Sequence, residues 1–265
     1  MPAQKRFKVL SPTAILGYGF PLNSFARGME ERPDLIAVDG GSVDPGPHYL
    51  GSGTSFTSKE GVKRDLAIII EAGLKAGIPV AVGTAGGSGA APHLQWCADI
   101  VREIAREKKI SFKLGIIPGD VERRTVKKAL AQNRIKPLDH TDLLTETAIN
   151  ESTHIVGQMG IEPFITAHEQ GCEVILAGRA YDPAPFAALA VLMGYDKGLA
   201  LHMGKILECA AIAATPGSGS DCVLGVVEQD GFVLKALSPE RKFTRLSVAA
   251  HSLYEKIRSL PPSWT

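Results

Sequence analysis

The sequence predicts an α/β fold built on an open, mostly parallel sheet with helices on both faces. Three observations carry that prediction. Short apolar runs ending in glycine alternate with stretches of helical period at least four times before residue 180, the pattern of βαβ units. Of the 265 residues, 45% are apolar and 22% charged, enough for a sizeable core. Near the end, an Asp-Gly pair separates two apolar runs, which predicts a β-hairpin.

The first strand is expected over 8–16, after which Gly17-Tyr18-Gly19-Phe20 turns the chain into a helix over 24–31 that Pro33 ends. Residues 34–38 read as a second buried strand, followed by the turn Asp39-Gly40-Gly41-Ser42 and a Gly/Pro-rich loop to Thr57. Ser58 is a good N-cap, and Val62, Leu66, Ile69, Ile70 and Leu74 recur at the spacing of an amphipathic helix that Gly77 stops. A third strand is expected over 78–82, a glycine-rich bend over 83–91, and a helix over 92–108 with Pro92 in its first turn. Residues 112–117 make a fourth strand closed by Pro118-Gly119-Asp120, and 121–132 a helix whose basic face is solvated. The pattern weakens over 136–162 and resumes with a helix at 163–170, a strand at 173–177 and helices at 184–193 and 205–214. The run Thr215-Pro216-Gly217-Ser218-Gly219-Ser220 reads as a linker before the hairpin of 223–227 and 232–237. The expected outcome is a Rossmann-like α/β domain over 1–215 that holds a ligand crevice, with a hairpin and helix over 216–265 as the start of a second portion.

Lysine and arginine number 29 against 28 acidic residues, so no positive field draws nucleic acid. The opening segment, broken by Pro12 and Gly17, is too short in apolar residues for a secretory signal or a membrane span, and a cytoplasmic protein is expected. Cys97, Cys172, Cys209 and Cys222 form no CxxC pair and read as reduced thiols.

In parallel sheets ligands bind beyond the carboxyl ends of the strands, and the unusual residues here sit at those ends. Thr84, Gly86, Gly87, Ser88 and Gly89 lie between a strand and a helix, where backbone N–H groups can approach an anion; the competing reading is that these glycines serve only tight turns. The stretch is neither a Walker loop nor a GxGxxG fingerprint. Asp39, Asp44 and His48 place two carboxylates and an imidazole within ten residues after a strand, as acid/base groups or as Asx-turn formers. His93, at the start of a helix, is a candidate catalytic base. Arg179 and Asp182 follow a further strand and offer an anion clamp or a structural ion pair. His202, Glu208 and Cys209 match no familiar metal spacing, and no metal is assigned.

SPTAILGYGF (11–20), DGGSVDPGPHYLG (39–51), GTAGGSGAAPHL (83–94), GRAYDPAPFA (178–187) and LECAAIAATP (207–216), in this order, resemble the acyclic terpene utilisation family. The resemblance implies a role in growth on acyclic terpenes, with lyase- or mutase-like names among the members. It extends to about Glu255. Family members continue beyond a segment similar to AAHSLYEK (249–256), whereas IRSLPPSWT departs from that continuation, which implies a shortened product or a natural short form.

The expected function is an enzyme of small carboxylic acid or acyl-CoA catabolism, a lyase or hydratase that abstracts a proton next to a carbonyl. His93 would move the proton, Asp39 or Asp44 would orient it, and the glycine loop with Arg179 would hold anionic oxygens. No cofactor is required, and CoA would enter as part of the substrate. The partner is a small anionic metabolite, with a homo-oligomer or a partner subunit allowed. The alternative is a non-catalytic or partner-dependent metabolite-binding subunit, and a third reading is a damaged fragment that aggregates alone.

Overall fold

The computed structural model describes residues 6–138 and 141–254. In chain order the elements are β1 (Phe7–Ser11), α1 (Leu22–Glu30), β2 (Leu35–Gly41), α2 (Pro47–Ser52), α3 (Lys59–Ala76), β3 (Val80–Gly87), α4 (Ala91–Lys108), β4 (Leu114–Ile117), α5 (Arg123–Ala131), α6 (Glu146–Glu151), α7 (Glu162–Glu169), β5 (Val174–Ala177), α8 (Ala184–Leu192), α9 (Lys197–Leu207), a 3₁₀ turn (Ala210–Ala213), β6 (Val223–Val227), β7 (Phe232–Ala236) and α10 (Arg245–Tyr254). The seven strands form one open sheet in the order β4-β5-β3-β2-β1-β6-β7. The first five in that order run parallel; β6 is antiparallel to β1, and β7 to β6.

Side chains alternate across the strands and so build a core on each face. Leu35 and Ala37 of β2 pack with Phe164, Phe186 and Met203 of α7, α8 and α9. Ile36 and Val38 pack on the other face with Leu66 and Ile70 of α3 and with Leu94 and Val101 of α4. These helices form where the sequence signals them. Ser58 caps α3 by accepting the Gly61 N–H at 3.0 Å, and Gly77 closes it in the left-handed conformation. Truncating Leu66, which is fully buried, to alanine would cost about 2–5 kcal/mol.

Three sequence expectations are corrected. The first strand ends at Ser11, because residues 12–16 leave the sheet toward a loop. The third strand does not stop at Val82 but runs through the glycines to Gly87, because Gly40 and Gly41 of β2 let the two backbones stay paired: a Cβ on Gly41 would lie 2.2 Å from the Gly87 carbonyl oxygen. The helix expected over 205–214 lies earlier, as α9. Asp196 accepts the Leu199 N–H at 2.8 Å and caps its start, and a 3₁₀ turn follows its end.

The connections fix where a ligand can sit. Loops leaving β2 and β3 lead to α3 and α4 on one face, while the loop leaving β5 leads to α8 on the other. β3 and β5 are neighbours, so their carboxyl ends part in opposite directions and form the switch point at which such sheets open a crevice. No helix among the described residues is long and apolar enough to cross a membrane.

Candidate functional site

At the carboxyl ends of β3 and β5, backbone packs against backbone. Arg179 N–H donates to the Gly89 carbonyl at 3.0 Å, and Thr84 N–H donates to that of Gly178 at 3.1 Å. Thr84 is buried at a positive φ of 43°, and its hydroxyl accepts the Ala180 N–H at 3.3 Å. Gly89 also has a positive φ, 73°, and a Cβ there would lie 2.2 Å from the Arg179 nitrogen. A Cβ on Gly86 would meet the His93 carbonyl oxygen at 2.4 Å. Close packing thus accounts for Gly86 and Gly89, while Gly87 lies against Ser55 and Phe56, and Ser88, between Gly87 and Gly89, is buried.

An ionic cluster lies beside these strand ends. Asp39 shares the parity of Leu35 and Ala37, which places it on the α8/α9 face. It is 1% exposed, and its Oδ1 accepts the Gly41 N–H at 3.1 Å. Burial, reinforced by the charges of Asp182 and Glu208, holds its pKa well above the ordinary carboxylate value, against a smaller opposing pull from Arg179. Lys205, on α9, donates from Nζ to Asp182 and to Glu208, each at 2.8 Å. Arg179 Nη2 lies 3.8 Å from Asp182 Oδ1. Cys209 Sγ donates to Glu208 Oε1 at 3.2 Å.

Burial also raises Glu208, outweighing the attraction of Lys205. Burial opposes the Lys205 charge, but Glu208 and Asp182 overcome it and keep the ammonium protonated. Two cations, Arg179 and Lys205, thus face the carboxyl groups of Asp182 and Glu208, with buried Asp39 beside them. Such a set can hold an anionic oxygen on Arg179 or Lys205 while a protonated carboxyl stands beside it.

The structure brings Asp39, Arg179, Asp182 and Glu208 together and adds Lys205, which the sequence reading passed over. Its signal was present: Lys205 and Glu208 stand three apart, one turn of helix, in a stretch of small and apolar residues. Asp44 and His48 do not join. Both are exposed on the loop and on α2, and the His48 ring packs edge-on to Tyr49 at 5.2 Å. Nearness in sequence placed them with Asp39, but the chain leaves the sheet after Gly41 and carries them outward.

His93 is buried in the first turn of α4. Its Nε2–H is shared between the carbonyls of Tyr49 at 2.9 Å and Thr54 at 3.2 Å, which leaves Nδ1 buried with no hydrogen-bond partner among the described residues. The imidazole therefore braces the 49–54 segment. His202 is exposed, and its ring packs on Phe232 at 5.2 Å, apart from Glu208. Among the described residues no group of three or more His, Cys, Asp or Glu side chains could hold a metal.

The earlier glycine loop is occupied from within. Buried Asp65 of α3 accepts the N–H groups of Gly17 at 2.8 Å and Gly19 at 3.0 Å through one carboxylate oxygen, so the chain's own carboxylate fills that backbone nest. A hollow of about 510 Å³ lies elsewhere, between α1 and β7, and another of about 370 Å³ near Phe7 and Ile78. Neither is lined by the ionic cluster.

No curated protein matches the chain. One solved structure shares 13% identity over 88% of this chain and 100% of its own length, at a TM-score of 0.28, a likeness too slight to argue from. A family model described as "Acyclic terpene utilisation family protein AtuA" matches residues 58–222, a span from the N-cap of α3 to the residue before β6 that holds every member of the cluster but Asp39. With more than half its length so matched, and with the five motifs in order, the chain belongs to the acyclic terpene utilisation family.

Proposed function

We propose that this chain is a cytosolic enzyme of small carboxylic acid or acyl-CoA catabolism, a lyase or hydratase that removes a proton next to a carbonyl and eliminates or adds water. One observation carries the reading: Asp39, whose pKa burial raises well above the ordinary carboxylate value, lies within electrostatic reach of Arg179, Asp182 and Glu208, and Lys205 joins the latter two carboxyls beside the switch point. In elimination, ionised Glu208 takes the proton from the carbon beside the carbonyl, and Arg179 and Lys205 stabilise the charge that develops on the carbonyl oxygen. The carbon–oxygen bond to the leaving hydroxyl breaks as Asp39 gives it a proton, releasing water and leaving Asp39 ionised and Glu208 protonated. Addition runs the same steps backward. The proton-moving role passes from His93 to these two carboxyls because His93 Nε2 is held by two loop carbonyls and no hydrogen bond among the described residues joins the ring to the cluster. The anionic metabolite and its CoA thioester remain the substrate classes, and Thr84 and Ser88 serve the backbone packing at the strand ends.

A thermal-shift screen against phosphate, CoA, acyl-CoAs and branched di- and tricarboxylates tests the reading, followed by turnover with any stabilising acid. We expect a ligand-specific rise in Tm that Arg179→Ala removes, and turnover that Asp39→Asn abolishes while the rise in Tm remains. A ligand that stabilises the chain yet is never turned over would support the second reading, a partner-dependent binding subunit. One observation favours that reading: Lys205 and Arg179 already meet the chain's own carboxylates.

A further inference from the structure

β7 is the last strand of the sheet, and none of the described residues forms a strand on its outer edge. The hollow of about 510 Å³ runs along that edge. Lys235 of β7 reaches Glu31, the C-cap of α1, at 2.7 Å, which places α1 as the wall on one face of the sheet. Phe243 packs with Leu234 against the opposite core and forms the other wall, while the Lys242 backbone is fixed by a mutual pair of hydrogen bonds with Thr215 at 2.8 and 3.0 Å. The result is a slot with the open hydrogen-bonding edge of a strand at its base, the geometry in which an extended segment is recognised by adding a strand.

Charge decides what kind of segment fits. Arg241 is met by buried Asp221 at 2.7 Å, and Lys235 is met by Glu31. Arg27 donates to the Leu237 carbonyl and to Ser24, and neither it nor Lys242 has a carboxylate partner among the described residues. Glu30 stands against these two, so the slot keeps a net positive charge. A second copy of the chain would bring the same positive edge against itself, which disfavours self-pairing.

We propose that the β7 edge is a docking site for an extended, apolar and acidic peptide segment of a partner protein, which pairs with β7 and sets its carboxylates against Arg27 and Lys242. The test is fluorescence anisotropy on the full chain with a short labelled peptide of alternating valine and glutamate. Controls are the same peptide with lysine for glutamate, and one with proline at alternate positions. Binding of the acidic peptide is expected, with both controls at least about tenfold weaker, and Lys242→Glu should weaken it about tenfold while leaving the thermal midpoint unchanged. Arg27→Gln should weaken it similarly, but Lys242→Glu is the deciding variant because Arg27 also ties α1 to Leu237. No binding by the acidic peptide, equal binding of the lysine or proline peptide, or indifference to Lys242→Glu would each overturn the proposal. So would sedimentation showing a dimer that Val233→Pro in β7 dissociates, since a second copy would then occupy the edge.

Discussion

Replacing Asp39 with asparagine keeps the side-chain shape and the acceptor for the Gly41 N–H while removing the ability to ionise. In the fold, burial and then the charges of Asp182 and Glu208 raise the Asp39 pKa. A raised folded pKa means that the folded state binds the proton more tightly than the unfolded chain does. The contribution of Asp39 to stability is then greatest at low pH and falls as pH climbs from the unfolded value, about 3.9, through the folded one. One proton sets the slope: at most about 1.4 kcal/mol per pH unit, or about 3–5 °C in Tm per unit for a chain of this size. The asparagine variant has no such slope. Urea melts of both proteins from about pH 4 to about pH 8 should show the variant gaining on the wild type as pH rises. Glu208, Asp182 and Arg179 are common to both and largely cancel in the difference. A flat difference would mean that folding does not shift the Asp39 pKa, and a variant that loses ground as pH rises would mean that Asp39 is ionised and paired in the fold; either would refute a buried neutral acid.

Lys205→Met leaves Asp182 and Glu208 facing each other without their shared cation and should cost about 2 kcal/mol or more by urea melt; adding Glu208→Gln should restore part of the loss in a double-mutant cycle. Gly89→Ala forces a Cβ to 2.2 Å from the Arg179 nitrogen at a φ of 73° and should cost well over about 2 kcal/mol. Gly77→Ala, at a φ of 68° with nothing within 4 Å, should cost only about 1 kcal/mol. Equal losses of Tm in the two glycine variants would show that conformation alone, and not the close approach of the two loops, makes Gly89 necessary.

Local periodicity carried most of the fold. The amphipathic spacing from Val62 to Leu74, the short buried run at 174–177 and the Asp-Gly hairpin are properties of neighbouring residues, and each element formed where its pattern lay. The extension of β3 to Gly87 was not legible, because it depends on Gly40 and Gly41 of another strand, and no local pattern records which backbone will lie alongside. The candidate site divides in the same way. Asp39, Arg179 and Asp182 were visible because strand ends are where such residues matter. Asp44 and His48 were grouped with them by sequence distance, although the departure of the chain after Gly41 separates them. Lys205 is hidden because the pattern of small residues starts a helix at 205, whereas α9 starts at Lys197, so an inward-facing turn resembles a helix start.

The sheet closes late in the life of the chain. β1 lies between β2 and β6, and its pairing with β6 sets Phe7 opposite Val227. On the ribosome, β1 has one partner as soon as β2 emerges, but its other side waits for β6, more than 180 residues later, about ten seconds or longer at ordinary elongation rates. Throughout that interval an apolar strand from the middle of the finished sheet presents a bare flank to the cell. Chaperone occupancy during synthesis should therefore be governed by how soon residues 223–227 arrive, and slow translation upstream of them would lengthen the exposure in which neighbouring chains can aggregate.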